Sequence, residues 1–473
     1  MLRLILGQLL ITWSLFSHAG DIRTPLREVM ASFSTETCVE DAKKIESAFK
    51  TLKPSDYLKE FENESYINLA NELWDLKLKL HQTMRLIYTS GELSQDCARA
   101  MRGAFYSIRL VEDLVEESHL RNHPEVSFPS SAFIAKNSHV RRGPEFKFIN
   151  LATDLQSGDL ILSRGNAFTS AAIASLGEFD TQFSHVSLVF RDKDDKLWTI
   201  ESHIEIGSIV RPIESHIKDN NFRSMILRFD DPKVAAKAAE FAFKKVKKAS
   251  ETSGNINYDF SFDMDDNKSL FCSEIVSWSF EKASEEAIKI PLVRNRIQVR
   301  KPTFVKALGI TAEESFIPAD LEIDPRFKIV AEWRDARRIN DSHEKDAILQ
   351  AMFSWVDDYG YQMINGSSAK SKFYRNIVWV MRRTPLLKTY VDDKLPLNMS
   401  RELIGHFGVL ESIGELLHKE LNSANMSSIN QTGLPLLPQQ KFEILEKYRQ
   451  KDIQKMRGKL HRMFRPVNPK EQI

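Results

Sequence analysis

Cys272, His185 and Glu201 are the residues of this chain whose types and local settings can do chemistry together. Cys272 sits in Ser269-Leu270-Phe271-Cys272-Ser273-Glu274, where Ile275, Val276 and Trp278 downstream predict a helix over 272–283. A thiol at a helix N-terminus feels the positive end of the helix dipole, so its pKa falls and more of it is nucleophilic thiolate. The unpaired backbone N–H groups of the same turn can hold a developing oxyanion. Asp263, Asp265 and Asp266 just upstream would oppose the thiolate if they came close. A cysteine at a helix start is, taken alone, more often structural.

His185 opens a β-branched run, Phe183-Ser184-His185-Val186-Ser187-Leu188-Val189. Alternation puts His185, Ser187 and Val189 on one face and Val186 and Leu188 on the other. On the next predicted strand, Leu197–Ile206, Glu201, His203 and Glu205 share a face opposite Ile200, Ile204 and Ile206. Antiparallel neighbours would bring His185 and Glu201 within cross-strand reach. A carboxylate there fixes the imidazole tautomer and stabilises its cation, as a Cys–His pair needs. Two other readings stand beside this one. His185 and Glu201 could form a plain ion pair, and His185, Glu201, His203 and Glu205 could ligate zinc. The zinc reading leaves Cys272 without a role.

The elements that must position these groups lie in a mixed segment, about 150–335. Strands are predicted at Asp159–Leu162, His185–Phe190, Leu197–Ile206 and Ser224–Phe229, with helices at Ala167–Leu176, Val234–Lys248 and Cys272–Ala283. Strands with segregated helices imply an α+β module. Before it, residues 20–120 read as a helical bundle. Leu69, Leu73, Leu76, Leu80, Met84 and Ile87 recur at spacings of three and four, as do Cys97, Met101, Phe105, Ile108, Val111 and Val115. Residues 121–153 read as a linker or cover. A second helical domain is expected over 336–473, with helices at Glu344–Tyr359, Arg401–Leu421 and Gln440–Phe464 and a separating Ser/Asn/Pro-rich piece, Asn422–Pro438. The last segment, from Lys441 on, carries ten Lys/Arg against four Asp/Glu and reads as a solvated helix face before it reads as a handle for anionic surfaces.

The chain has 473 residues, enough for two to three domains, and 66 Lys+Arg balance 65 Asp+Glu. That balance argues against a nucleic-acid binder working by bulk charge. At the N-terminus Arg3, the apolar Leu4–Phe16 stretch and the small residues of Ser17-His18-Ala19 read as a signal peptide over 1–19, so a periplasmic or secreted protein is expected. Three cysteines in an oxidising compartment divide as two plus one, giving an expected Cys38–Cys97 disulfide and a free Cys272. The alternative is three buried apolar cysteines.

In order, Gly158-Asp159-Leu160-Ile161-Leu162-Ser163-Arg164-Gly165-Asn166, Phe183-Ser184-His185-Val186, Ile200-Glu201, Tyr258-Asp259-Phe260, Phe271-Cys272-Ser273-Glu274-Ile275-Val276 and Ile317-Pro318-Ala319-Asp320-Leu321 resemble the YiiX/YaeF-type permuted papain-like amidases, a circularly permuted branch of the NlpC/P60 superfamily. The resemblance covers about 150–335 and implies a permuted papain-like module over 154–335 with an antiparallel sheet, flanked by N- and C-terminal α-helical domains. It implies Cys272 as nucleophile, His185 as general base, Glu201 as the residue that orients it, and Tyr258 as an aromatic neighbour of the site. The flanking helical domains have no counterpart in the family.

The reaction expected is attack of Cys272 on an amide carbonyl, with no metal or organic cofactor required. The expected substrate is a peptide or acyl-amide, with peptidoglycan peptides the leading case, and a peripheral contact with membrane or cell wall is expected too. Two alternatives remain at this point: a lipid or lipopeptide acyltransferase or thioesterase using the same residues, and a non-catalytic binding scaffold.

Overall fold

The structure is a computed structural model that describes residues 36–50, 66–123, 140–146, 150, 153–179, 181–219, 221–264, 268–297, 308–364, 399–455 and 457–466. The expected signal peptide, residues 1–19, and Asp265 and Asp266 lie outside them. The chain divides into two compact units, Met1–His123 with Thr432–Leu434, and Pro124–Gln431 with Pro435–Ile473.

The first unit contains helices α1 (Cys38–Lys50), α2 (Tyr66–Thr89) and α3 (Gln95–Asn122). Both predicted apolar stripes are buried, because residues three and four apart share one helix face. Ser94 caps α3 by accepting the N–H of Cys97 at 3.1 Å. A buried ion pair, Lys77 Nζ to Glu112 Oε2 at 2.7 Å, ties α2 to α3. Cys38 and Cys97 form a disulfide joining α1 to α3, with Cα atoms 5.6 Å apart.

The second unit is built on a seven-stranded sheet. Along the chain its elements are β1 (Arg141–Arg142), β2 (Leu160–Arg164), α4 (Phe168–Ala174), β3 (His185–Arg191), β4 (Leu197–His203), β5 (Gly207–Pro212), α5 (Ile213–Ile217), β6 (Arg223–Phe229), α6 (Pro232–Thr252) and α7 (Cys272–Ala283). There follow β7 (Asn295–Arg296), β8 (Glu314–Ser315), β9 (Phe327–Arg334), α8 (Ile339–Tyr359), β10 (Tyr361–Met363), α9 (Arg401–Thr432), α10 (Pro438–Lys455), α11 (Lys459–Met463) and β11 (Phe464–Pro466). The sheet order is β1-β9-β6-β2-β3-β4-β5, antiparallel at every step. Ile161, Val189, Leu197, Ile226 and Val330 line one core on it together with Ile213 of α5. No helix among the described residues is long and apolar enough to cross a membrane.

Three expectations are corrected. Strand β4 ends at His203 and not at Ile206, because Ile204–Ile206 form a turn closed by Gly207. Gly207 has φ +76°, and a Cβ there would meet the Ile256 carbonyl oxygen at 2.1 Å, so the tight hairpin needs glycine. Glu205 therefore lies on the turn and not on the face of Glu201. Next, α9 runs unbroken through Thr432, so much of the expected spacer Asn422–Pro438 is helix. Asn425, buried in that stretch, accepts the N–H of Leu436 at 2.6 Å and donates to Glu344 at 2.9 Å. Last, among the described residues the C-terminal helices share their core with the sheet module. Ile348, Met352 and Trp355 of α8, Leu410, Ile413 and Leu417 of α9 and Leu445 of α10 share one apolar cluster with Phe168, Tyr258, Phe271 and Ile317.

Candidate active site

Antiparallel pairing of β3 and β4 sets Leu188 opposite Ile200 and Phe190 opposite Trp198. Continuing that register puts Ser187 opposite Glu201 and His185 opposite His203, so His185 reaches Glu201 along the diagonal. His185 Nε2 lies 2.9 Å from Glu201 Oε2. Ser187 donates its hydroxyl to the same oxygen at 3.0 Å, and Thr199 donates to Oε1 at 2.6 Å.

Glu201 is fully buried, with 0% exposure. Burial pushes its pKa up, but the charge of His216 and hydrogen bonds from His185, His203 and His216 pull it well below the ordinary carboxylate value. An ionised carboxylate only accepts, so His185 donates its Nε2–H to Glu201, and its other hydrogen-bond partner is Cys272.

Cys272 is the first residue of α7 and is buried. Its N-cap, Phe271, has no side chain that could accept from the first-turn N–H groups, and its own N–H donates to the Glu274 carboxylate at 3.3 Å. The loop before it is pinned to the sheet: Ser202 Oγ donates to the Leu270 carbonyl at 2.5 Å, and the Leu270 N–H donates to the Asn257 carbonyl at 2.9 Å. Burial opposes ionisation of the thiol. The hydrogen bond and charge of His185, with the Val186 backbone N–H, outweigh that and lower the Cys272 pKa below its usual value. For His185, burial disfavours the cation, while hydrogen bonds to Cys272 and Glu201 win and raise its pKa. The two shifts together favour a thiolate–imidazolium pair.

Tyr258 is buried beside this pair, its ring 5.1 Å from that of Phe260. Burial raises its pKa well above the usual value, and the nearby Cys272 charge adds to the effect, so its hydroxyl stays protonated. Phe260 and Ile204 pack on Leu403 and Ile404 of α9, an apolar cluster whose members Ile204 and Phe260 are close in sequence to His203 and Tyr258.

Two groups escaped the sequence reading. Arg211 on β5 donates Nε to Glu201 Oε1 at 2.5 Å and Nη2 to Oε2 at 3.1 Å, and it pairs on its far side with Asp219. His216 on α5 brings Nδ1 to 3.1 Å from Glu201 Oε2. Neither stands in a recognisable motif. The β4–β5 register opposes Arg211 to Thr199, two residues from Glu201 along β4 and on the same face.

His185, Glu201 and His203 offer three donor atoms within 4.8 Å of one another, a set that could hold a metal ion. Both histidines, however, direct Nε2 at Glu201 Oε2, and the Arg211 guanidinium covers the same carboxylate with a fixed positive charge. That charge disfavours a cation, and Glu205 is not there to add a ligand.

Residues 154–331 match the family of permuted papain-like amidase enzymes, YaeF/YiiX, C92 family. No curated protein and no solved structure matches the chain.

Proposed function

We infer, from the membership of residues 154–331 in that family of cysteine amidases, that Cys272, His185 and Glu201 form the catalytic set of an exported thiol hydrolase cleaving an amide bond. The observation that carries this reading is the sharing of one imidazole, with Glu201 on His185 Nε2 at 2.9 Å and Cys272 as its other hydrogen-bond partner. In this reading the Cys272 thiolate attacks the carbonyl carbon, and the first-turn N–H groups of α7 receive the oxyanion. His185 then passes its proton to the leaving nitrogen, and the C–N bond breaks. Water, losing a proton to His185, attacks the thioester and releases the acid. Glu201 holds the ring in register throughout.

Export is supported by the N-terminal apolar segment and by the Cys38–Cys97 disulfide, which suits an oxidising compartment. A cell-wall peptide is the substrate we favour. A second reading, transfer or thioester cleavage of an acyl chain, is favoured by the apolar cluster of Ile204, Phe260, Leu403 and Ile404. Trapping decides between them. Brief incubation with muropeptides or with acyl-amides, acid quench and intact-mass analysis should show a peptidyl or a fatty acyl adduct on Cys272, absent in Cys272→Ala. No adduct from either class would sink the enzyme reading.

A further inference from the structure

Glu201 is an anion with no access to water, and His185 can balance it only while protonated. Amide hydrolysis requires His185 to surrender that proton to the leaving group. At that moment a carboxylate served by His185 alone would be a buried, uncompensated charge. His203 and His216 also reach Oε2 at 3.1 Å, but an imidazole, unlike a guanidinium, holds positive charge only while protonated. Ser187 and Thr199 bring hydroxyl dipoles only. Arg211 is always charged and meets both carboxylate oxygens in a fork.

We propose that Arg211, held from behind by Asp219, is a positioning residue that keeps Glu201 ionised and fixed through the proton cycle of His185 and sets how acidic the His185 imidazolium is. The inference rests on the thiol-hydrolase reading above. The groups facing the carboxylate are His185 and Ser187 of β3, Thr199 and His203 of β4, Arg211 of β5 and His216 of α5, with Asp219 beyond Arg211. Those facing His185 are Cys272, Glu201, His203 and His216, the last with its ring centroid 6.5 Å away. Arg211 partly neutralises Glu201, so the imidazolium is held less tightly than a bare carboxylate would hold it. Asp219, in turn, draws part of the Arg211 charge away from Glu201.

Two changes therefore act in opposite directions. Arg211→Met should make His185 a weaker acid, and Asp219→Asn should make it a stronger one. The test is the pH profile of Cys272 alkylation by chloroacetate in the full chain. The thiolate displaces chloride, and the anionic reagent is drawn in by the imidazolium, so the rate falls at high pH as His185 deprotonates. Arg211→Met should move that descending limb up by about one pH unit, Asp219→Asn should move it down by less, and Arg211→Lys should keep it near wild type. With a turned-over substrate, Arg211→Met should lower kcat roughly 10- to 100-fold, by analogy with groups that orient a catalytic ligand, with KM nearly unchanged. A purely structural arginine would lower the folded fraction and leave the limb in place. An unmoved limb in Asp219→Asn and in folded Arg211→Met overturns the proposal, and Asp219→Asn alone decides if Arg211→Met does not fold. Loss of any preferential Cys272 labelling in the wild type is a different outcome, and it strikes the hydrolase reading itself.

Discussion

His185 and His203 lie with ring centroids 5.0 Å apart and direct their Nε2 atoms at one oxygen of Glu201, at 2.9 Å and 3.1 Å. Two imidazoles thus compete for one acceptor, yet the charge and hydrogen bond that lower the Cys272 pKa come from His185.

That asymmetry separates the two by mutation. His185→Gln should reduce turnover by about 10³-fold, within the range for loss of a general base. His203→Gln keeps a donor for Glu201 and should cost less than about tenfold. Single-turnover acylation of Cys272 checks both, and a larger loss in His203→Gln would show that the base has been misassigned.

Activity should follow a bell-shaped pH profile. It rises as pH climbs through the lowered Cys272 pKa and falls as pH climbs through the raised His185 pKa, because only the thiolate–imidazolium form attacks and then protonates. In Glu201→Gln the imidazolium loses its anion, so the descending limb should move to lower pH while turnover drops by orders of magnitude. Rates of Cys272 alkylation across pH 4–10 read the limbs without a substrate.

Gly414 on α9 faces the Phe168 ring of α4, where a Cβ would lie 2.7 Å from the ring Cγ. Gly414→Ala should cost about 1–3 kcal/mol, the usual range for overpacking. Thermal melts of the single variants and of Gly414→Ala/Phe168→Leu should show non-additive losses, since the smaller side chain relieves the clash.

His418 on α9 lies 3.0 Å from Asp341 and 3.1 Å from Glu344 on α8. The proximity of those two carboxylates raises its pKa to about 9 from an ordinary value of 6.5. Its contribution to stability is fully present below pH 6.5 and is lost as pH rises through about 9. Denaturant titrations at pH 6 and pH 9.5 should differ by on the order of 2 kcal/mol, a figure reduced for partial exposure. Most of that difference should vanish in His418→Gln.

Much of the site was legible because its signals are local. Cys272 announces itself by opening a helix, and His185 and Glu201 by alternation along adjacent strands. Arg211 and His216 were not, because what brings them to Glu201 is the β4–β5 register and the one-and-a-half turns of α5, both tertiary facts. Glu205 was misread for the opposite reason: Ile204 and Ile206 sustain a strand pattern that Gly207 ends. The same limit hid the shared core. Helical periodicity marks Leu410, Ile413 and Leu417 as an apolar stripe without saying that Phe168 and Ile348 cover it.

That shared core has a consequence for how the protein comes to be made. The ribosome finishes the segment 154–331 while α8, α9 and α10 are still to be synthesised, and at 5–20 residues per second these take on the order of ten seconds more. Until they arrive, Phe168, Tyr258, Phe271 and Ile317 lack the apolar partners that cover them, and the loop carrying Cys272 lacks its finished support. A nascent or truncated chain would then hold its thiol in an unfinished setting. Competence would come only with α8, α9 and α10, so that the synthesis of these helices itself delays the appearance of a reactive cysteine.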